Sequence, residues 1–162
     1  MIRVFFLRFV LLVFFVGCKS NHVFDTPLPE FNLLAMDSST IFNTKQIPTG
    51  KPFALVYLDP DCGSCQKETE AILAKMAELK EYSIYFISDE PFARMKVFEK
   101  HYSLMRYKNV FVGNDYDGFF VRHFRPPGPP YSIIYNKNKR ARDMFSGPVD
   151  GQEFVDVLTK LN

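Results

Sequence analysis

The chain has 162 residues, of which 47% are hydrophobic and 23% are charged, and such a composition supports one folded domain with a buried core. Its eleven prolines and eight glycines follow no repeat, which excludes a collagen or coiled-coil structure. Arg3 and Arg8 lie in an acid-free segment of 17 residues, so the other 145 residues carry 18 basic and 18 acidic side chains. Nucleic acid is therefore not an expected partner, because phosphate binding requires a concentration of positive charge.

The N-terminus has the layout of a signal peptide. A basic segment, residues 1–8, precedes the apolar run Phe9–Val16 and the dipeptide Gly17-Cys18. This run is too short for a membrane-spanning helix, which needs roughly 20 apolar residues. The junction resembles the lipobox of bacterial lipoproteins, with Phe15 where leucine is usual. The resemblance implies that residues 1–17 are a signal peptide and that Cys18 becomes a lipidated N-terminus; an ordinary secreted protein and an uncleaved anchor are the alternatives.

Residues 18–29 are predicted to form a tether. The sequence after Cys18, KSNHVFDTPLP, is polar, rich in turn-forming residues and without apolar periodicity. We therefore expect one folded domain over residues 30–162. A lipid on Cys18 would hold this domain at a membrane of the cell envelope, on the periplasmic side, and the sequence leaves the choice between inner and outer membrane open.

Strands and helices alternate in the predicted domain. The first buried strand is the apolar run Phe53–Leu58, and an amphipathic helix follows from Cys65 to Leu79. A second strand, Ser83–Ser88, precedes a helix that begins at Pro91. The remaining predicted elements are a strand at Asn109–Val112, a helical turn at Gly118–Phe124, a β-hairpin of Tyr131–Tyr135 and Ala141–Phe145, and a last helix capped by Asp150. This order predicts an α/β domain.

Cys62 and Cys65 form a CxxC pair between the first predicted strand and its helix. A helix N-terminus supplies unpaired N–H groups and a positive dipole, which favour the thiolate of the first cysteine, while the second cysteine lies one turn further on. This placement suits dithiol chemistry in which Cys62 attacks and Cys65 resolves. A passive structural disulfide is the alternative that a lone CxxC leaves open.

A haem site or a metal site fits the sequence less well than a redox-active dithiol does. Attachment of a c-type haem requires histidine directly after the second cysteine, where this chain has Gln66. A tetrahedral zinc site needs two further ligands, and the three histidines, His22, His101 and His123, are widely spaced. No metal or cofactor is therefore expected, and a copper metallochaperone that binds Cu(I) through both thiolates is a disfavoured alternative.

The order of elements and several local motifs resemble the thioredoxin fold, and more narrowly the TlpA/ResA type of extracytoplasmic thiol-disulfide oxidoreductase. The motifs are Pro29–Leu33 (PEFNL), the turn Cys62–Cys65 (CGSC) and the segment Gly128–Asn136 (GPPYSIIYN). The resemblance implies a single thioredoxin-like domain whose central mixed β-sheet is flanked by helices. It also implies that Pro130 is a cis-proline facing the cysteines and that Pro129 and Pro130 belong to the substrate-binding segment.

The same resemblance implies a membrane-tethered enzyme that reduces disulfides of exported proteins. Its partners would be those client proteins and a transmembrane reductant donor of the DsbD or CcdA type. A peroxidase is less expected, because peroxiredoxins approach their cysteine with Thr/Ser-x-x-Cys and this chain has Asp59 at that position. The main alternative is a catalytically silent binding domain that keeps the fold and a structural disulfide.

Three departures from the family pattern affect the expected chemistry. Asp61 replaces a common tryptophan, Val56 stands where thioredoxins often bury a proton-accepting acid, and Pro129 lacks an N–H for substrate. Asp59, Asp61 and Glu68 are possible substitutes for the acid, but we interpret each as a solvated charge near a helix start. The negative charge of Asp61 disfavours ionisation of the first cysteine, which predicts a redox potential nearer the thioredoxin value, about −270 mV, than the DsbA value, about −120 mV.

Overall fold

The computed structural model describes residues 25–162. The predicted signal peptide, the lipidation site Cys18 and most of the predicted tether lie outside the described residues and stay predictions. Globular packing begins before residue 30, since Pro27 forms a bridge with Arg140 and the N–H of Leu28 donates to the carbonyl of Lys139. Within residues 25–162 no helix combines the length and the apolar character needed to cross a membrane.

Seven strands form one mixed sheet. The strands are β1 (Asn32–Ala35), β2 (Ile41–Asn43), β3 (Phe53–Tyr57), β4 (Ser83–Ser88), β5 (Val110–Asn114), β6 (Tyr131–Tyr135) and β7 (Ala141–Ser146), in the order β2-β1-β5-β4-β3-β6-β7. The central strands β3, β4 and β5 are parallel, and every other pair is antiparallel. All five residues of β3 are buried, as expected for a parallel strand covered on both faces.

The helices are α1 (Gly63–Ala74), α2 (Met76–Leu79), α3 (Phe92–Tyr102), α4 (Phe119–Phe124) and α5 (Gly151–Lys160), with short 3₁₀ turns at Thr44–Gln46 and Leu104–Arg106. The single helix predicted up to Leu79 is therefore divided at Lys75, whose backbone leaves the helical conformation. Helix α3 ends at Ser103, which adopts a left-handed conformation with φ of 50°. The β-hairpin was predicted correctly, whereas β2 had no counterpart among the predicted elements.

The sheet separates two hydrophobic cores. One core packs side chains of β3 and β4 against α1, α3 and α5, with Ile72, Phe86, Met95 and Phe154 almost fully buried. The other lies between the opposite face and α4, where Phe120 stacks on Tyr57 with 4.9 Å between ring centroids. Both cores, as the structure describes them, are formed by side chains within residues 25–162.

Candidate active site

The CxxC pair lies where the carboxyl end of β3 turns into α1, as the sequence predicted. Cys62 is the N-cap residue of α1, and its Sγ accepts a hydrogen bond from the backbone N–H of Cys65 at 3.4 Å. Cys62 is partly exposed, whereas only 1% of Cys65 is exposed, and the two thiols are not joined in this structure. The two sulfur atoms therefore differ sharply in their exposure to solvent.

The surroundings of Cys62 favour its thiolate. Partial burial opposes ionisation, but hydrogen bonds from Cys65 and Ser64 outweigh that effect, so the pKa of the Cys62 thiol is lowered. The Ser64 hydroxyl lies 3.0 Å from Sγ. The stabilising groups are neutral, so the thiolate receives help from the helix start without a cation in contact.

The pKa of the second thiol shifts in the opposite direction. Burial raises the pKa of Cys65, and the hydrogen bond with Cys62 and the charge of Glu68 act in the same direction. At neutral pH the exposed sulfur is thus the one prepared to attack, while Cys65 retains its proton until a base removes it. This contrast is the arrangement expected of an attacking and a resolving cysteine.

The proline segment lies beside the attacking sulfur. The Pro129-Pro130 peptide bond is cis, and the carbonyl oxygen of Pro129 is 3.9 Å from Cys62 Sγ. Pro130 is buried and Pro129 is exposed. Because Pro129 has no N–H, its exposed backbone offers an incoming polypeptide only a hydrogen-bond acceptor, the carbonyl oxygen. The structure thus brings together all four residues predicted for catalysis and substrate binding.

Glu68 is a buried acid beneath the dithiol, and the interpretation of this residue as a solvated charge is wrong. It lies three residues after Cys65 on the same face of α1 and is 1% exposed. One carboxylate oxygen accepts a 2.7 Å hydrogen bond from the Ser132 hydroxyl on β6, and the other has no partner among the described residues. Burial raises the pKa of Glu68 to about 7, against the lowering effect of Ser132.

Arg94, in the first turn of α3, neutralises the acidic turn before the dithiol. Its guanidinium pairs with Asp61 and Glu90, and it lies 3.3 Å from an oxygen of Asp59. The predicted repulsion between Asp61 and the Cys62 thiolate is therefore offset by a cation that sequence analysis missed. No local pattern identifies Arg94, because 33 residues separate it from Asp61.

We expect the change Arg94→Gln to lower the reactivity of Cys62. Without the cation, the charges of Asp59 and Asp61 disfavour the thiolate, so alkylation by iodoacetamide at pH 7 should slow about two- to threefold. The measurement is the alkylation rate as a function of pH. Arg122→Gln, on the exposed part of α4, removes an equal charge and should leave the profile unchanged; equal slowing in both variants would assign the effect to net charge.

An apolar cavity of about 510 Å³ adjoins this turn. It lies between the CxxC turn and α3, and its lining includes Pro60, Asp61, Gln66, Val97 and Tyr102. Val97 is 68% exposed at its edge. A side chain of a bound polypeptide could fill this space while the polypeptide backbone passes Cys62.

No three His, Cys, Asp or Glu side chains within residues 25–162 are grouped so that they could hold a metal ion.

No family model matches the sequence, and no curated protein does. Solved structures do match. A secreted Mycobacterium tuberculosis disulfide oxidoreductase homologous to E. coli DsbE is 21% identical, with a TM-score of 0.68 over 81% of this chain and 96% of that chain. The thioredoxin domain of a thiol-disulfide oxidoreductase from Bacteroides vulgatus is 17% identical, with a TM-score of 0.67 over 85% and 97%. The chain has a thioredoxin-like fold.

This thioredoxin-like fold confirms the predicted fold class. Peroxidoxin BcpB from M. tuberculosis shares it, with 14% identity and a TM-score of 0.72 over 86% of this chain and 98% of that chain. Oxidoreductases and a peroxidoxin therefore share one thioredoxin-like architecture. The choice between their chemistries depends on the residues of the site.

Proposed function

We propose that the protein is a thiol-disulfide oxidoreductase that reduces disulfides of exported proteins. The observation that carries the proposal is the difference between the two thiols. Cys62 is accessible and has a lowered pKa, whereas Cys65 is buried and has a raised pKa. A structural disulfide has no need of this difference, but sequential thiol-disulfide exchange uses it directly.

The proposed reaction transfers two electrons to the client. The Cys62 thiolate attacks one sulfur of a client disulfide, which forms a mixed disulfide and releases the other client sulfur as a thiolate. Cys65 then loses its proton and attacks Cys62 Sγ. This second step breaks the mixed disulfide, releases the second client thiolate and leaves a Cys62–Cys65 disulfide.

Glu68 is the proposed acceptor of the Cys65 proton. A carboxylate whose pKa is about 7 is partly ionised at neutral pH and can take up a proton without becoming a strong acid. The free carboxylate oxygen leaves room for that proton, because only the other oxygen is held by Ser132. Glu68 thus supplies from α1 the acid that Val56 does not supply from β3.

The proposed client-binding groove combines the proline segment and the cavity. A client N–H could donate to the carbonyl of Pro129 next to Cys62, and an apolar client side chain could enter the cavity beside Val97. A single backbone hydrogen bond imposes little sequence selection. The groove therefore favours clients with an accessible, extended disulfide segment.

A disulfide-reduction assay tests this function. With dithiothreitol as the donor, the wild-type protein should accelerate reduction of insulin disulfides, and Cys62→Ser should reduce the rate to that of dithiothreitol alone. Lys67→Ala, at an exposed position of α1 outside the cavity lining, is the matched control and should retain activity. A wild-type rate equal to the uncatalysed rate would favour the silent binding domain.

The location and the partners belong to the same proposal. We place the domain on the periplasmic side of a cell-envelope membrane, held by a lipid on Cys18 and supplied with electrons by a transmembrane donor of the DsbD or CcdA type. The sequence at Gly17-Cys18 supports the anchor, and the consumption of two electrons in each cycle requires the donor.

The change Cys18→Ser is expected to release the protein from the membrane fraction. Mass spectrometry of the wild-type N-terminal peptide should find a diacylglyceryl group on Cys18. The change Ser20→Ala, two residues further on, is the control and should leave the protein in the membrane fraction. An unmodified Cys18, or equal retention of both variants, would contradict lipidation.

A further inference from the structure

The amino ends of the parallel strands carry a surface that we call the basic edge. The loops before β3, β4 and β5 and the turn between β6 and β7 lie at this end, because Phe53 pairs with both Ser83 and Tyr135, and Ile84 pairs with Val110. These four loops, residues 47–52, 80–82, 103–109 and 136–140, contain one acid, Glu81. They contain seven basic residues, namely Lys51, Lys80, Arg106, Lys108, Lys137, Lys139 and Arg140.

The opposite end of the sheet is acidic. The loops that follow β3, β4 and β5 contain Asp59, Asp61, Asp89, Glu90, Asp115 and Asp117, offset mainly by Arg94. The CxxC turn belongs to this end. Residues 25–162 carry 17 basic and 18 acidic side chains, nearly equal numbers, but these loops place charges of opposite sign at opposite ends of the sheet, so the domain has an electric dipole along its strands.

Most charges of the basic edge are available to a partner. Lys51 pairs with Glu81 and Arg140 pairs with Asp25, whereas the other five basic residues form no ion pair within residues 25–162. An open cleft of about 700 Å³ is lined by four basic residues and one acid, namely Lys51, Lys80, Arg106, Lys108 and Glu81. Its size and charge suit anionic head groups.

The chain enters the domain at this same end. The carbonyl of Thr26 accepts a hydrogen bond from the N–H of Ala141, and Asp25 contacts Arg140. Asp25 lies seven positions after Cys18, and an extended chain of that length spans at most about 25 Å. In the proposed lipidated form, the basic edge is therefore within reach of the lipid surface.

We propose that the basic edge docks on a membrane surface rich in anionic phospholipid. Each exposed Lys or Arg near such a surface raises membrane partitioning about fivefold at moderate salt. Docking through this edge directs the CxxC turn away from the bilayer, toward clients in the aqueous compartment. Because the contact is electrostatic it is reversible, so the domain can also rotate toward a membrane-bound donor.

Vesicle sedimentation tests this proposal independently of the redox chemistry. Residues 25–162, which contain both hydrophobic cores, should bind vesicles in which about a third of the lipid is phosphatidylglycerol and should not bind phosphatidylcholine vesicles. Salt at about 0.5 M should abolish binding. Equal binding to both kinds of vesicle, or binding to neither, would overturn the proposal. Retention on immobilised polyglutamate without vesicle binding would overturn it in favour of an acidic protein partner.

Two charge-matched variants locate the contact. Lys80→Gln with Lys108→Gln should lower the partition coefficient about 25-fold. Lys67→Gln with Arg122→Gln removes the same charge from exposed positions on α1 and α4, in the active-site half, and should change the coefficient less than about threefold. Equal losses in the two variants would show that only net charge matters and would contradict docking through the basic edge.

Discussion

Replacement of Cys65 by serine is expected to stop turnover and to accumulate a mixed disulfide on Cys62. Attack by Cys65 is intramolecular, and its loss leaves only slow attack by thiols from solution. We expect turnover to fall at least about 100-fold. Incubation of residues 25–162, which exclude Cys18, with glutathione disulfide, followed by mass spectrometry without reductant, should show one glutathione on each protein molecule.

Cys62→Ser is the counterpart variant and should trap far less glutathione. Within residues 25–162 the remaining thiol is that of Cys65, which is 1% exposed and has a raised pKa, so the glutathione disulfide lacks both access and a reactive thiolate. Efficient trapping by Cys62→Ser together with none by Cys65→Ser would reverse the assigned roles. Absence of trapping in both variants would remove the basis for an exchange reaction.

Replacement of Glu68 by glutamine is expected to raise the free energy of unfolding, relative to the wild type, more at pH 8 than at pH 4. In the unfolded chain this carboxyl has its ordinary pKa of 4.5, and burial raises the pKa to about 7 in the folded protein. The unfolded state therefore loses this proton first as the pH rises, so the contribution of Glu68 to stability falls between pH 4.5 and 7. The difference between the two pKa values corresponds to a loss of roughly 3 kcal/mol in the free energy of unfolding.

Urea unfolding of the wild type and of the Glu68→Gln variant at pH 4 and pH 8 measures this effect. The comparison between pH values removes the constant cost of the unpaired amide hydrogens of glutamine. Glu70→Gln, at an exposed position on the same helix, should behave like the wild type. If the free energies of unfolding of the wild type and Glu68→Gln differ by the same amount at both pH values, the carboxyl is not buried as described.

The change Glu68→Gln should also slow the resolving step, in which Cys65 attacks the mixed disulfide. Without a carboxylate near Cys65, the buried thiol loses its proton less readily, so the mixed disulfide should persist about ten- to a hundredfold longer at pH 7. The reaction of Cys62 with iodoacetamide should change much less. Quenched-flow measurement of mixed-disulfide decay separates these steps, and decay at the wild-type rate would exclude Glu68 as the proton acceptor.

The local framework of the site was predictable because short motifs determine it. The apolar run before Cys62 specifies a buried strand, and the proline segment beside Cys62 was placed by resemblance to a known family. Strand β2 could not be predicted in this way, because it has three residues, none of which is fully buried. Its place depends on pairing with β1, which no local pattern reveals.

Glu68 could have been found from helix periodicity. Positions 65, 68, 69 and 72 share the buried face of α1, and a glutamate within that pattern indicates a buried acid. Arg94 and the basic edge could not be found in this way, since both depend on how distant segments meet. Net charge was also a poor guide, because a balanced total does not reveal how the charges are distributed over the folded surface.

The redox potential of the Cys62–Cys65 couple tests the central claim most directly. Neutral groups stabilise the Cys62 thiolate, and the carboxyl of Glu68 lies buried near the pair, so the reduced state is not strongly favoured. Equilibration of residues 25–162 with glutathione and dithiothreitol buffers should give a potential near that of thioredoxin, about −270 mV. A potential near that of DsbA, about −120 mV, would contradict the proposed reductant, and a value far below −300 mV would indicate a structural disulfide.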